Sequence, residues 1–144
     1  MKEQIINGLQ LLSPNIFVPW SINTAELKEL FNNYDIKYVT PQYYTIPALL
    51  PADIDCMLGL HFDYGLLNWF ELFRNQNYYE THDLITSYND FQAKFEIIWG
   101  KPHQSNKSMI DGFENHFWHF KKITITHSVY ERFCICEGVS MRRK

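Results

Sequence analysis

The sequence lacks the short motifs that announce common enzymes. It has no glycine-rich phosphate loop, no nucleophile elbow, no paired-histidine zinc-protease helix and no dinucleotide fingerprint. Catalysis is therefore the less favoured reading, and no catalytic residue, metal ligand or cofactor is assigned. Cysteine is sparse: Cys56, Cys134 and Cys136 only. An odd count without the spacing of a secreted scaffold points to a reducing compartment. Positions 134 and 136 fall on one strand face, too far apart for good disulfide geometry. A basic leader followed by a compact apolar run is also missing. Residues 4–25 carry no charge, yet Asn7, Pro14, Asn15, Pro19 and Asn23 make them too polar and broken to span a membrane. The expectation is a soluble, cytoplasmic protein. No repeat, low-complexity tract or linker divides the chain, so residues 1–144 are expected to form a single domain.

What is present is apolar and aromatic. Hydrophobic residues make up 46% and aromatics 17% of the chain, which excludes a disordered polymer and suits a sheet-rich core. A chain of this length buries about two-thirds of its unfolded surface, enough for one real core. The strongest periodic signal is Thr81 to Gly100. Leu84, Tyr88, Phe91, Phe95 and Ile98 recur at helical spacing, with Thr81 as a cap and Gly100-Lys101-Pro102 as a stop. A helix with so wide an aromatic stripe lies on a flat apolar surface. A shorter helix begins at Asn23, which with Glu26 fits a capping box, and Ile22 with Leu27 fits the hydrophobic staple.

Elsewhere the chain reads mostly as strand. Residues 2–12 suggest a short helix weakened by Gly8, and 16–20 a small strand. Residues 36–46 read as one strand with Pro41 at an edge or bulge, followed by a loop bracketed by Pro47 and Pro51. Residues 54–62 and 66–73 form a hairpin through Asp63-Tyr64-Gly65. Residues 103–112 read as a polar loop. Strands follow at 114–121, 123–129, 130–136 and 139–142, with a turn at Glu137-Gly138. The expected class is α+β, a mostly antiparallel sheet with two or three helices packed on one face.

Charge is segregated. The net charge is −3, but residues 38–93 hold Arg74 as their only base against seven acids, whereas residues 94–144 sum to +4. An acidic surface bearing exposed tyrosines steers and then holds a basic protein. The candidate partner-binding residues are Asp53, Asp55, Asp63, Tyr64, Glu71, Tyr78, Tyr79 and Glu80. The overall acidity disfavours nucleic acid.

The remaining candidates have plain structural readings. His116 and His119 fall on opposite faces of a strand, which weakens them as a metal pair. Cys134 and Cys136 share a face, with His127 or His116 as the nearest further ligand for zinc, but they read first as small buried thiols. Asp53 with Asp55, or Asp63 with Glu71, are carboxylate pairs of ordinary spacing.

Trp99-Gly100-Lys101-Pro102, Trp118-His119-Phe120 and Tyr130-Glu131-Arg132-Phe133 give the C-terminal half a look that resembles the small α+β immunity proteins bacteria use against polymorphic toxins. The resemblance implies an intracellular inhibitor that occludes one cognate toxin domain. The alternative is a small-molecule-binding domain or small enzyme, with a pocket between the central helix and the sheet near His116, His127 or Cys134. A third is a subunit that pairs through an edge strand. Oligomeric state is not legible.

Overall fold

Period-two alternation shapes most of the molecule. The computed structural model describes residues 4–144. It is an α+β structure with ten strands and two α-helices. Strands β1 (Gly8–Gln10) and β2 (Phe17–Pro19) form a small ribbon, followed by α1 (Thr24–Leu30). Then come β3 (Lys37–Thr40), β4 (Tyr43–Leu50), β5 (Ile54–Asp63) and β6 (Leu66–Phe73). Helix α2 (Leu84–Trp99) precedes β7 (Gln104–Lys107), β8 (Glu114–Phe120), β9 (Ile123–Arg132) and β10 (Cys134–Arg143). The large sheet is antiparallel and runs β3-β4-β5-β6-β10-β9-β8-β7. Two four-strand meanders thus join where β10 pairs with β6, Val139 opposite Leu72.

One face of the sheet is core. Leu58 and Leu60 of β5, Phe70 and Leu72 of β6, Ile125 of β9, and Val139 and Met141 of β10 are all buried. Helix α2 brings Phe91, Phe95 and Trp99, four residues apart, as a stacked column with centroids 5.3 and 4.9 Å apart. Phe95 meets Trp118 of β8 edge-on at 6.1 Å. The Trp118 indole N–H donates to the Gly100 carbonyl at 2.8 Å, which closes the helix C-terminus onto the sheet.

Several expectations hold in detail. Asn23 Oδ1 accepts from the Glu26 N–H at 2.8 Å, and the Glu26 carboxylate accepts from the Asn23 N–H at 3.2 Å, the expected capping box. Gly100 ends α2 at φ 81°. Others change. The α2 cap is Asp83, whose Oδ1 accepts from the Thr86 N–H at 2.9 Å, rather than Thr81. The hairpin turn is two residues, Tyr64-Gly65, because Asp63 already pairs with Leu66. Both turn residues have positive φ, 51° and 78°, the geometry that matches strand twist.

Larger revisions have identifiable causes. Of the helix expected at 2–12, residues 2 and 3 lie outside the described residues, and the rest is a 3-10 turn, Gln4–Ile6, and then β1. A Cβ at Gly8 would collide with the Val18 carbonyl and the Phe17 ring, so glycine there serves close strand pairing. The strand read at 36–46 breaks at Pro41-Gln42 into β3 and β4, and Pro47 lies inside β4 rather than opening a loop. β3 reaches only Thr45, so β4 is an edge at Pro47 and needs no N–H there. The polar loop at 103–112 contains β7, an edge strand exposed at every residue and so without apolar period. The turn between the last strands is Phe133 (φ 65°), and Glu137-Gly138 is mid-strand. Gly138 is needed under the Tyr130 ring, where a Cβ would stand 2.6 Å from a ring carbon.

Truncating Phe95, which is fully buried, to alanine should cost about 3–5 kcal/mol in urea melts. Ile97→Ala, two positions away and 69% exposed, should stay within about 0.5 kcal/mol.

Candidate docking face

The half-exposed face of the large sheet carries two cross-strand rows. In the first, Tyr43, His61, Trp69, Arg142, Thr124 and His119 are successive register partners from β4 to β8. In the second, Thr45, Gly59, Glu71, Ser140, Thr126, Phe117 and Gln104 run from β4 to β7. Strand spacing of about 4.8 Å sets flat side chains face to face across such a row. Tyr43 stacks on His61 at 4.3 Å and His61 on Trp69 at 3.7 Å, with planes 4° apart. The Arg142 guanidinium covers the Trp69 ring at 3.9 Å.

Glu71 locks this stack from the next row. Its Oε2 accepts from the Tyr43 hydroxyl at 2.9 Å and meets His61 Nε2 at 2.9 Å. Gly59 makes room, since a Cβ there would stand 2.8 Å from that oxygen. Burial by itself would raise the Glu71 pKa. Hydrogen bonds from His61 and Tyr43, with the charges of His61 and Arg142, outweigh it and hold the carboxyl below its ordinary 4.5. Burial and the same carboxylate push the Tyr43 hydroxyl well above its usual range. Among the described residues, Glu71 Oε1 has no hydrogen-bond partner.

Beside the stack the face is hollowed. A depression of about 300 Å³ is lined by Trp69, Glu71, Tyr130, Arg132, Ser140 and Arg142. Through Tyr130 and Ser128 it runs into a groove of about 790 Å³, bordered by Met109, Ile110, Phe117 and Phe133. Met109 and Phe133 are fully exposed, and Phe133 is held out by its left-handed turn conformation.

The eight residues expected to bind a partner are divided by strand length. Asp53 and Asp55 stand at the start of β5, with Asp63 and Tyr64 at its far end, roughly 30 Å away at 3.3 Å per residue. Tyr78, Tyr79 and Glu80 belong to a 3-10 turn (Gln76–Glu80) after β6. Arg74, at the start of that connection, donates to the Asp55 carbonyl at 3.3 Å, which sets the turn at the Asp55 end. Glu71 sits mid-face, and its partners are Tyr43 and His61 rather than Asp63. Asp53, Asp55, Asp63, Tyr79 and Glu80 are exposed, Tyr64 is 95% exposed, and Tyr78 is half-buried.

Sequence reasoning missed the buried polar chain on the core face. Arg74 Nε donates to Ser87 Oγ at 2.9 Å, and Ser87 donates to Glu137 Oε1. His127 Nε2 meets Glu137 Oε2 at 2.6 Å, and its Nδ1 meets Gln92 Oε1 at 2.7 Å. Arg74 also donates to Asp90 at 2.9 Å. The side chains of His127 and Glu137 are 0% and 2% exposed. Period-two alternation places residue 137 on the same face as Val139 and Met141, which was the available signal.

No protein-family model and no curated protein matches this chain. A crystal structure of a DUF4309 family protein, YjgB, from Bacillus subtilis subsp. subtilis str. 168 is similar over 85% of this chain and 78% of that one. The TM-score is 0.45 and the identity 5%, too low to carry an argument about fold or function.

The lowered Glu71 pKa fixes a sign. The carboxylate stabilises the fold fully above its unfolded value, and the contribution is lost as pH falls through the lower folded value. The stability gap between the native chain and Glu71→Gln should shrink as pH falls below about 4.5. Urea melts across pH read this directly, and a gap that widens in acid contradicts it.

Proposed function

We propose that the chain is a protein-binding inhibitor, an immunity protein that neutralises a cognate bacterial toxin by occlusion, docking through the half-exposed face of its large sheet. In this reading both helices lie on the core face and leave the docking face free. The observation that carries it is the locked row Tyr43–His61–Trp69–Arg142. Tyrosine, tryptophan and arginine are the residue types that dominate interface energies. Here their rotamers are fixed before binding, so little entropy is lost on docking.

The partner in this reading is basic. Glu71 presents an open carboxylate oxygen amid aromatic rings, where a lysine or arginine of the partner can pair with it. Phe133 and Met109 at the groove rim supply apolar anchors. The exposed acids Asp53, Asp55 and Glu80 lie at one end of the sheet and steer encounter rather than hold the complex. The toxin assignment draws on the resemblance of the C-terminal half.

Of the three residues offered for the alternative pocket between α2 and the sheet, His116, His127 and Cys134, one is engaged within the core. His127 is fully buried, with both ring nitrogens against oxygens of Glu137 and Gln92.

The test pairs this chain with the product of the neighbouring gene in a calorimetric titration. Phe133→Ala and Glu71→Gln should each weaken binding about tenfold or more, about 1.4 kcal/mol. Tyr38→Ala, exposed on edge strand β3, should leave affinity unchanged. Equal affinity in all three variants would remove the docking face.

A further inference from the structure

Cys134 and Cys136 lie outside this docking reading and differ from the buried thiols expected. Cys134 is exposed and Cys136 half-buried; only Cys56 is buried. The pair stands at alternate positions of β10, on one side of the strand. Their sulfurs are 3.0 Å apart, both thiols are free, and Cys136 Sγ also reaches the Cys134 carbonyl at 3.3 Å.

Strand geometry decides what such a pair can hold. Alternate residues of a strand have Cα atoms about 6.6–6.8 Å apart. That is the outer limit for a disulfide, whose Cβ atoms must also close to about 3.8 Å. A two-coordinate metal ion asks for less. At about 2.3 Å per metal–thiolate bond, the sulfurs need to stand roughly 4.6 Å apart. Side-chain rotation alone spans that range, from 3.0 Å when the thiols converge to the strand spacing when they stand parallel.

The chemistry of the donors narrows the ion. Zinc needs three or four ligands, and among the described residues no group of three or more His, Cys, Asp or Glu side chains converges. His127, one of the two histidines expected from sequence as a further ligand, is buried on the other side of the sheet against Glu137. Two thiolates with no further ligand select a soft monovalent ion. The site is also open to an incoming ion, since Cys134 is exposed and Cys136 is half-buried opposite its register partner Tyr130 of β9.

We propose that Cys134 and Cys136 form a two-coordinate site for a soft monovalent cation of the Cu(I) class. Binding one ion releases two thiol protons and leaves a complex of net charge −1.

Anaerobic titration of the reduced full chain with Cu(I), in competition with bicinchoninate, tests this. One equivalent should be taken up, with X-ray absorption reporting two sulfur neighbours. Cys134→Ser and Cys136→Ser should each weaken binding by more than about 100-fold, beyond the loss that a merely supporting residue brings. Cys56→Ser should bind as the native chain does. Circular dichroism of Cys134→Ser, an exposed position, should match the native spectrum and so separate ligand loss from misfolding. Retention of all copper by bicinchoninate, native affinity in Cys134→Ser, or three sulfur neighbours would each overturn the site.

Discussion

The structure depends on satisfying one buried carboxylate. Glu137 lies in the middle of β10 on the core face, where an unpaired charge would cost several kcal/mol. It is met on one oxygen by Ser87 of α2 and on the other by His127 of β9. Ser87 is in turn held by Arg74, which follows β6, and His127 by Gln92 of α2. Three other segments are therefore tied, directly or through one intermediate, to a single side chain. Apolar contacts such as Phe95 on Trp118 are tolerant of small slides, whereas this chain of short bonds is not. It fixes how far α2 can shift along the sheet, and with that the place of every aromatic residue on the helix.

The two faces of the sheet solve different problems with the same residue types. On the core face histidine and glutamate are sealed and fully paired. On the other face His61 and Glu71 form a similar pair in partial contact with solvent, stiffened by rings rather than by burial. The first arrangement positions elements, and the second leaves a carboxylate oxygen, a guanidinium and two ring edges available. The side chains of such a surface are held in place by one another rather than by burial.

Local features were legible in the sequence and long-range ones were not. The 3.6-residue spacing from Leu84 to Ile98 gave α2, and Asn23 with Glu26 gave the start of α1, because both signals lie within a few residues. Glu137-Gly138 looks like a turn because turns use such pairs. Its real reason lies across the strand, in the Tyr130 ring and the His127 imidazole. Pro47 reads as a loop boundary until β3 is known to stop at Thr45. The stacked row draws on residues 43, 61, 69 and 142, brought together by register alone. The acidic set was legible as composition, but the ten-residue length of β5 separates its ends.

The joining of the two meanders through β10 also has a kinetic side. Leu72 pairs with Val139 across a long loop of chain, and until that pairing forms, β6 and β9 each offer a bare edge of unpaired N–H and C=O groups. Non-local antiparallel closure is slow, and unpaired edges recruit other chains. The interval before β10 slots between them is therefore when this protein is most exposed to aggregation. Its yield on refolding should be governed by concentration more than by final stability.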